Sequence, residues 1–260
     1  METAKLLESV LRWQVAAGLD EAMLDAPVDR FAAARPPAPP PRPAAPPPLT
    51  AVPSAVPQAI AEARAAAGAA QTLEALRDAV AAFEGCTLKR TATKTVFADG
   101  NPDSRLMFIG EAPGADEDRI GLPFVGASGQ LLDRMLATIG LDRTKAYITN
   151  VLFWRPPGNR KPTDSEIAIC RPFVERHIVL IRPHLVIIVG GTASGALIPG
   201  SEGITRLRGR WLRLNVNGLA TPLQALAMYH PSFLLRAPER KREAWADLLS
   251  VKSKLKDVVK

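Results

Sequence analysis

The chain has 260 residues, of which 47% are hydrophobic and 23% charged, a balance that supports a packed core in a water-soluble protein. No apolar run reaches the roughly 18 residues needed to span a bilayer, and no secretory signal opens the chain, so no membrane role is expected and the protein is read as cytoplasmic. The net charge of +7 favours a polyanion such as nucleic acid, although a merely solvated basic surface is the alternative on charge alone.

Residues 4–25 carry Leu6, Leu7, Val10, Leu11, Trp13 and Leu24 at helical spacing, which predicts a short amphipathic helix or helix pair within an extension over residues 1–34. Residues 35–57 are rich in proline and alanine. Without backbone donors or an apolar pattern, they predict an extended spacer rather than a folded segment. Residues 58–260 then form the main domain. Its first stretch, 58–82, is alanine-rich and predicts a helix.

From there strands and helices alternate. Leu106–Ile109 is an apolar run closed by Gly110 and reads as a buried strand. Ser128 is placed to cap a helix that runs to Gly140. Ala146–Phe153 is a second strand. Thr163-Asp-Ser-Glu166 is a capping box that opens a helix ending before Pro183. Leu185–Val189 is a third strand, followed by Gly190-Gly-Thr and a helix, and Leu223–Tyr229 is a fourth. A helix over Pro238–Lys256 closes the domain. This order predicts an α/β fold: three α/β/α layers around a four-stranded parallel sheet, with the site at the carboxyl ends of the strands.

Three of the loops after those strands hold the chemistry. The first carries Gly110-Glu-Ala-Pro-Gly-Ala-Asp-Glu-Asp118 and then Pro123-Phe-Val-Gly126. The second carries Asn150 and Arg155-Pro-Pro-Gly-Asn-Arg-Lys161. The last carries His230-Pro-Ser-Phe-Leu-Leu-Arg236. They bring carboxylates, an amide, an aromatic ring, an imidazole and arginines to one sheet edge.

These motifs, together with the Thr149-Asn-Val151 strand end, resemble the uracil-DNA glycosylase superfamily and specifically its family 4, over residues 83–257. The resemblance implies an enzyme that extrudes uracil from single- or double-stranded DNA and hydrolyses its N-glycosidic bond, the first step of base-excision repair. In that reading Phe124 stacks on the base, and Asn150 pairs with its edge. His230 donates a hydrogen bond to O2, where the charge of the leaving anion develops. Gly110, Glu111 and Ala112 contact uracil largely through backbone atoms. Ala112 stands where better-known members carry the aspartate that positions water, so Glu111, Glu117, Asp118 and Asn159 are the candidates for that task. Glu117 also matches a glutamate thought to stand near uracil C5 and exclude a methyl group; its alternative role is to compensate Arg119 together with Asp118. Ser232 and Arg236 are expected on phosphate, Leu234 or Leu235 either as a wedge in the gap left by the base or as core, and Arg155, Arg160 and Lys161 along the backbone.

Members of family 4 usually hold a [4Fe–4S] cluster on four cysteines. The matching positions here are Phe83, Cys86, Trp154 and Cys170, so no ordinary cluster is expected, and the two thiols should be buried and inert. Two rival functions stand beside the glycosylase. One is a protein that binds uracil in DNA without releasing it. Residues 204–211 contain no histidine of the kind that traps DNA in such relatives. The other is a nucleotide phosphohydrolase, although Gly110–Gly114 lacks the lysine and hydroxyl of a P-loop. A repair or replication partner is expected, if anywhere, at the N-terminal extension.

Overall fold

The structure is a computed structural model that describes residues 2–16, 55–198, 200 and 202–259. The chain forms two units, Met1–Thr50 and Ala51–Lys260. In the first, helix α1 (Glu2–Ala16) is amphipathic, with Leu7, Leu11 and Trp13 exposed and an Arg12–Glu8 ion pair one turn apart. The remainder of the expected extension and most of the proline-rich spacer, residues 17–54, lie outside the described residues. Among the described residues no helix is long and apolar enough to cross a membrane.

The second unit is built on a six-stranded sheet in the order β1-β3-β2-β4-β6-β5. Its strands are β1 (Ala98–Gly100), β2 (Leu106–Gly110), β3 (Tyr147–Asn150), β4 (Leu185–Val189), β5 (Trp211–Leu214) and β6 (Leu223–Met228). The four central strands are mutually parallel and are the four read from the sequence. The two additional strands are antiparallel edges, β1 on β3 and β5 on β6. Both are short and only partly buried, so neither carries the continuous apolar run that marks a strand covered on both faces.

Alternate residues of the central strands supply two cores. Met107, Ile109, Val186 and Ile188 face one layer of helices, and Leu106, Phe108, Leu185 and Ile187 face the other. Helices α2 (Ala55–Ala69), α3 (Leu73–Ala82) and α6 (Asp164–Ile181) cover the first face. Ala59, Ala63 and Ala67 recur every turn on the buried side of α2, and such small side chains let it lie close to α6. The predicted single helix over 58–82 is divided because Thr72 caps a new start, its side chain accepting from Ala75 N–H at 3.1 Å.

Helices α5 (Ala127–Thr138) and α10 (Lys241–Val259) cover the second face. Helix α5 starts at Gly126 and not at a Ser128 cap. The capping box of α6 is present as read: Thr163 Oγ1 accepts from Glu166 N–H, and the Glu166 carboxylate accepts from Thr163 N–H at 2.8 Å. Short helices α4 (Ala115–Ile120), α7 (Gly191–Leu197), α8 (Ile204–Leu207) and α9 (Pro231–Arg236) fill the connections.

Thr163→Ala removes one half of that box while leaving the core untouched. It should cost about 1 kcal/mol and lower the melting temperature by roughly 2–4 °C, read by calorimetry, with Thr163→Ser retaining most of the stability.

Candidate active site

Parallel pairing fixes which residues share an edge. Gly110 at the end of β2 lies in register with Asn150 at the end of β3. The following loops stay zipped, with Val151 N–H donating to Gly110 O at 2.9 Å and Leu152 N–H to Glu111 O at 3.0 Å. Across the sheet β4 and β6 end together at Val189 and Met228, and Gly190 N–H donates to Met228 O. That contact sets His230 beside Gly190, where an added Cβ would come within 3.1 Å of the histidine's own Cβ.

Phe124 closes the cluster. Its ring stacks on the His230 imidazole with centroids 5.6 Å apart and planes 27° from parallel. At Gly110, a Cβ would lie 2.5 Å from Phe124 Cζ and 2.4 Å from Asn150 Oδ1. Aromatic ring and carboxamide are therefore immediate neighbours at the bare Gly110, and the imidazole stacks on that ring from beside Gly190. Phe124 and Asn150 are buried, and His230 is half-buried. The Asn150 carboxamide has no hydrogen-bond partner among the described residues, so its donors and acceptor are unspent on the protein.

The state of His230 follows from its surroundings. Its Nδ1 accepts from Ser232 N–H at 3.1 Å, and the Ser232 hydroxyl lies 2.8 Å from the same nitrogen. An Nδ1 that accepts places the proton of the neutral ring on Nε2. Burial, with a smaller contribution from the Arg236 charge, pushes the imidazole down to about 4, against an opposing pull from Glu117. His230 is thus a neutral Nε2–H donor at physiological pH.

Several expected residues have partners that define other tasks. Glu117 is an anchor: one carboxylate oxygen accepts from Val125 and Gly126 N–H, both at 2.9 Å, and the other from Gly114 N–H at 3.1 Å. A carboxylate filled by three backbone donors is poorly suited to act as a free base. Asp118 accepts from Thr93 and Lys94 N–H, which ties down a neighbouring loop. Arg119 pairs with Asp116 and not with Glu117 or Asp118. Glu111 is half-buried, and its side chain has no polar partner among the described residues. Ala112 is half-buried against the first core.

Asn159 accepts from Arg155 Nε at 2.7 Å on an exposed loop. Arg160 makes a forked ion pair with Glu166, at 2.6 and 2.9 Å, which commits a cation expected on DNA. Lys161 and Arg236 are exposed. Leu234 requires a correction as a wedge: it is 1% exposed and packs in the second core, whereas its neighbour Leu235 is 42% exposed. Arg143 was not singled out in the sequence, yet it holds the Phe124 backbone, and Gly129, which was given no role, leaves room for the Phe124 carbonyl. Gly129 had a signal, a glycine in the first turns of a helix. Arg143 had none, because its partners are distant in the chain.

The four cluster positions do not fit a cubane. Cys86 and Cys170 are buried free thiols, and the neighbouring Cys86 together with burial pushes the Cys170 thiol well above its usual range. Phe83 turns over Gly85 and packs edge-on against Phe173 at 5.1 Å. Trp154 is 1% exposed, with its indole N–H donating to Thr95 Oγ1 at 3.1 Å. Aromatic carbon occupies two of the four ligand positions, and no group of three or more metal-ligating side chains is found among the described residues.

Comparison with known proteins assigns the chain to a family. A model of the uracil DNA glycosylase superfamily matches residues 97–249, so the chain belongs to that superfamily. Within it the similarity is to type-4 uracil-DNA glycosylases. The chain is 38% identical over 170 residues to that of Archaeoglobus fulgidus, covering 64% of this chain and 84% of the relative. It is 35% identical over 192 residues to that of Thermotoga maritima, covering 72% and 96%. It is 36% identical over 188 residues to that of Saccharolobus solfataricus, covering 70% and 86%.

The tautomer and charge of His230 are directly measurable. Nitrogen-15 correlation spectra should show a neutral ring protonated at Nε2 from pH 7 down to about pH 5, with titration near 4. An imidazolium at pH 7, or a proton on Nδ1, would overturn the assignment.

Proposed function

We propose that residues 58–260 are a uracil-DNA glycosylase that hydrolyses the N-glycosidic bond of uracil flipped out of DNA and so begins base-excision repair. The observation that carries this reading is the meeting of Phe124 with Asn150 at Gly110 and with His230 beside Gly190, at the carboxyl ends of the parallel strands. Extrusion of the base costs a few kcal/mol, recovered by stacking and by hydrogen bonds that water otherwise makes.

Phe124 is the plate for the base. The unspent Asn150 carboxamide accepts from uracil N3–H and donates to O4. Cytosine presents the reverse pattern and leaves buried polar groups unpaired, at about 1–3 kcal/mol each. Backbone atoms of Gly110, Glu111 and Ala112 line the same edge. As the glycosidic bond lengthens, negative charge grows on uracil O2, and His230 Nε2–H stabilises it. A neutral donor there binds the anion more strongly than the neutral base, so the interaction lowers the barrier and not merely KM.

Glu111 is the carboxylate left to orient water, since Glu117 and Asp118 are occupied by backbone amides and Asn159 by Arg155. Arg155, Lys161 and Arg236 supply positive charge for the phosphates, as does Ser232 through whatever hydrogen-bonding capacity His230 leaves free, and exposed Leu235 supplies the apolar wedge. The overall basic charge assists capture of DNA, and the absence of a membrane-spanning helix among the described residues is compatible with a cytoplasmic site of action. The N-terminal helix, with its exposed apolar side chains, is the segment for a repair or replication partner. The chemistry proceeds without an iron–sulfur cluster, because Phe83 and Trp154 replace two of its ligands.

A single-stranded oligonucleotide with one uracil tests the reaction. Alkali-labile breaks should appear with uracil and not with thymine; hypoxanthine, run in parallel, defines the width of the pocket. His230→Ala should cut the single-turnover rate about 10²–10³-fold with little loss of DNA binding, and Asn150→Asp should weaken uracil selection. Wild-type rates in both variants would refute the site. A denaturant-stable DNA adduct in place of strand breaks would identify a trapping protein instead.

Protein purified without oxygen should carry no stoichiometric iron. Four irons per chain, the content of one cubane, would refute the cluster-free reading.

A further inference from the structure

Phe124 has a backbone φ of +55°, in the left-handed region that a bulky side chain rarely adopts. Such a residue costs on the order of 1–3 kcal/mol and persists only where its surroundings over-determine it. The surroundings here grip the chain on both sides. On the amide side, the Glu117 carboxylate takes the N–H groups of Val125 and Gly126. On the carbonyl side, Arg143 takes the two oxygens that precede them: Nη1 donates to Pro123 O at 3.1 Å, and Nη2 donates to Phe124 O. Gly129 makes the approach of that carbonyl possible, since a Cβ there would lie 1.6 Å from it.

The guanidinium is itself held. Arg143 Nε donates to Asp133 Oδ1 at 2.9 Å and Nη1 to Asp99 Oδ2 at 2.5 Å. Asp133 lies on α5, just beyond the Phe124 loop, and Asp99 on the edge strand β1. Arg143 sits on the short turn Arg143–Lys145 that leads into β3, the strand ending at Asn150. One planar group therefore joins the segment that carries the aromatic plate to the strand that carries the amide. Only arginine has a rigid fork with enough donors for two carboxylates and two carbonyls; a lysine ammonium is a point charge with three.

We propose that Arg143 is a positioning residue for uracil excision: it sets the Phe124 ring against the pocket edge marked by Asn150 and His230. The proposal rests on the glycosylase reading above and deepens it. A misplacement of reacting partners by about 1 Å can cost as much as 10²-fold in rate.

The test is single-turnover excision of uracil from an oligonucleotide at saturating enzyme, with melting temperature measured alongside. Arg143→Lys should lower the chemical rate about 10–100-fold while the protein stays folded at the assay temperature. Asp133→Asn, which loosens the fork without touching Phe124, should lower it less. In a Phe124→Leu background the same Arg143→Lys change should cost less than about threefold, because the plate it positions is already gone.

Arg143→Ala is informative only if it folds; Arg143→Lys decides if it does not. An Arg143→Lys rate within twofold of wild type overturns the proposal, as does an equal loss in both backgrounds, which would mark a general structural role. A wild-type protein that excises no uracil overturns the glycosylase reading first, and this proposal with it.

Discussion

The site depends on the absence of a side chain at Gly110. Ring and amide both come so close to its Cα that the smallest substituent would strike each within 2.6 Å. The strand end is thereby left as open backbone, flanked by an aromatic face and a carboxamide. Only a parallel pairing can put the last residue of β2 level with the last of β3, so the edge of the sheet is what brings these groups together. Gly190 does the same on the other side, where His230 occupies the space a side chain would need. Two glycines at strand ends thus define where a base can approach backbone.

The electrostatics follow from the same crowding. A protein of charge +7 meets DNA with a favourable field, but its key imidazole must not be an extra cation. Burial and the Arg236 charge hold His230 neutral, and the Ser232 amide selects its tautomer. In the proposed reaction a neutral donor does little for a neutral base and much for an anion, so its effect would come late, as the bond breaks. Charges near the pocket are meanwhile spent on structure: Glu117 on three amides, Arg160 on Glu166, Arg143 on Asp99 and Asp133. These pairings leave the Glu111 carboxylate without a polar partner at this edge among the described residues.

The parts legible in the sequence were those written in local pattern. Leu185–Val189 is a run of five apolar residues and is a strand over that very range. Thr163 and Glu166 form the capping box that their spacing announces. The motif loops fall after the strands that were read, which is why Phe124, Asn150 and His230 come together at one sheet edge. What was not legible depends on contacts between distant segments. Ala98–Gly100 and Trp211–Leu214 are strands because a neighbour pairs with them, not because of their own composition. Leu234 and Leu235 are adjacent and alike, and only the packing of α9 against α5 tells which one is core. Glu117 looked like chemistry because a carboxylate in a glycine-rich loop has two meanings, and only its partners separate them.

At the four positions that the resemblance assigns to cluster ligands, packing holds the loops in place of the ligation proposed to be missing. A cubane would tie the Phe83–Cys86 turn, the segment after β3 and helix α6 through four covalent ligands. Here the same three segments meet through carbon. Phe83 packs on Phe173 of α6, Phe153 packs on both Trp154 and Phe173, and the Cys86 and Cys170 thiols are both free and buried. Trp154 adds a polar tether to Thr95, in the segment just before β1. Aromatic pairs of this kind contribute about 0.5–1.5 kcal/mol each beyond their buried area, so several together can supply the cross-link that metal ligation would. The exchange is possible because this core lies on one face of the sheet, whereas Phe124 belongs to the hydrophobic cluster on the other. Asn150 sits at the end of β3 between the two, on a strand that the sheet already holds in register. Changes of filling on the first face can therefore leave the geometry of the strand ends intact.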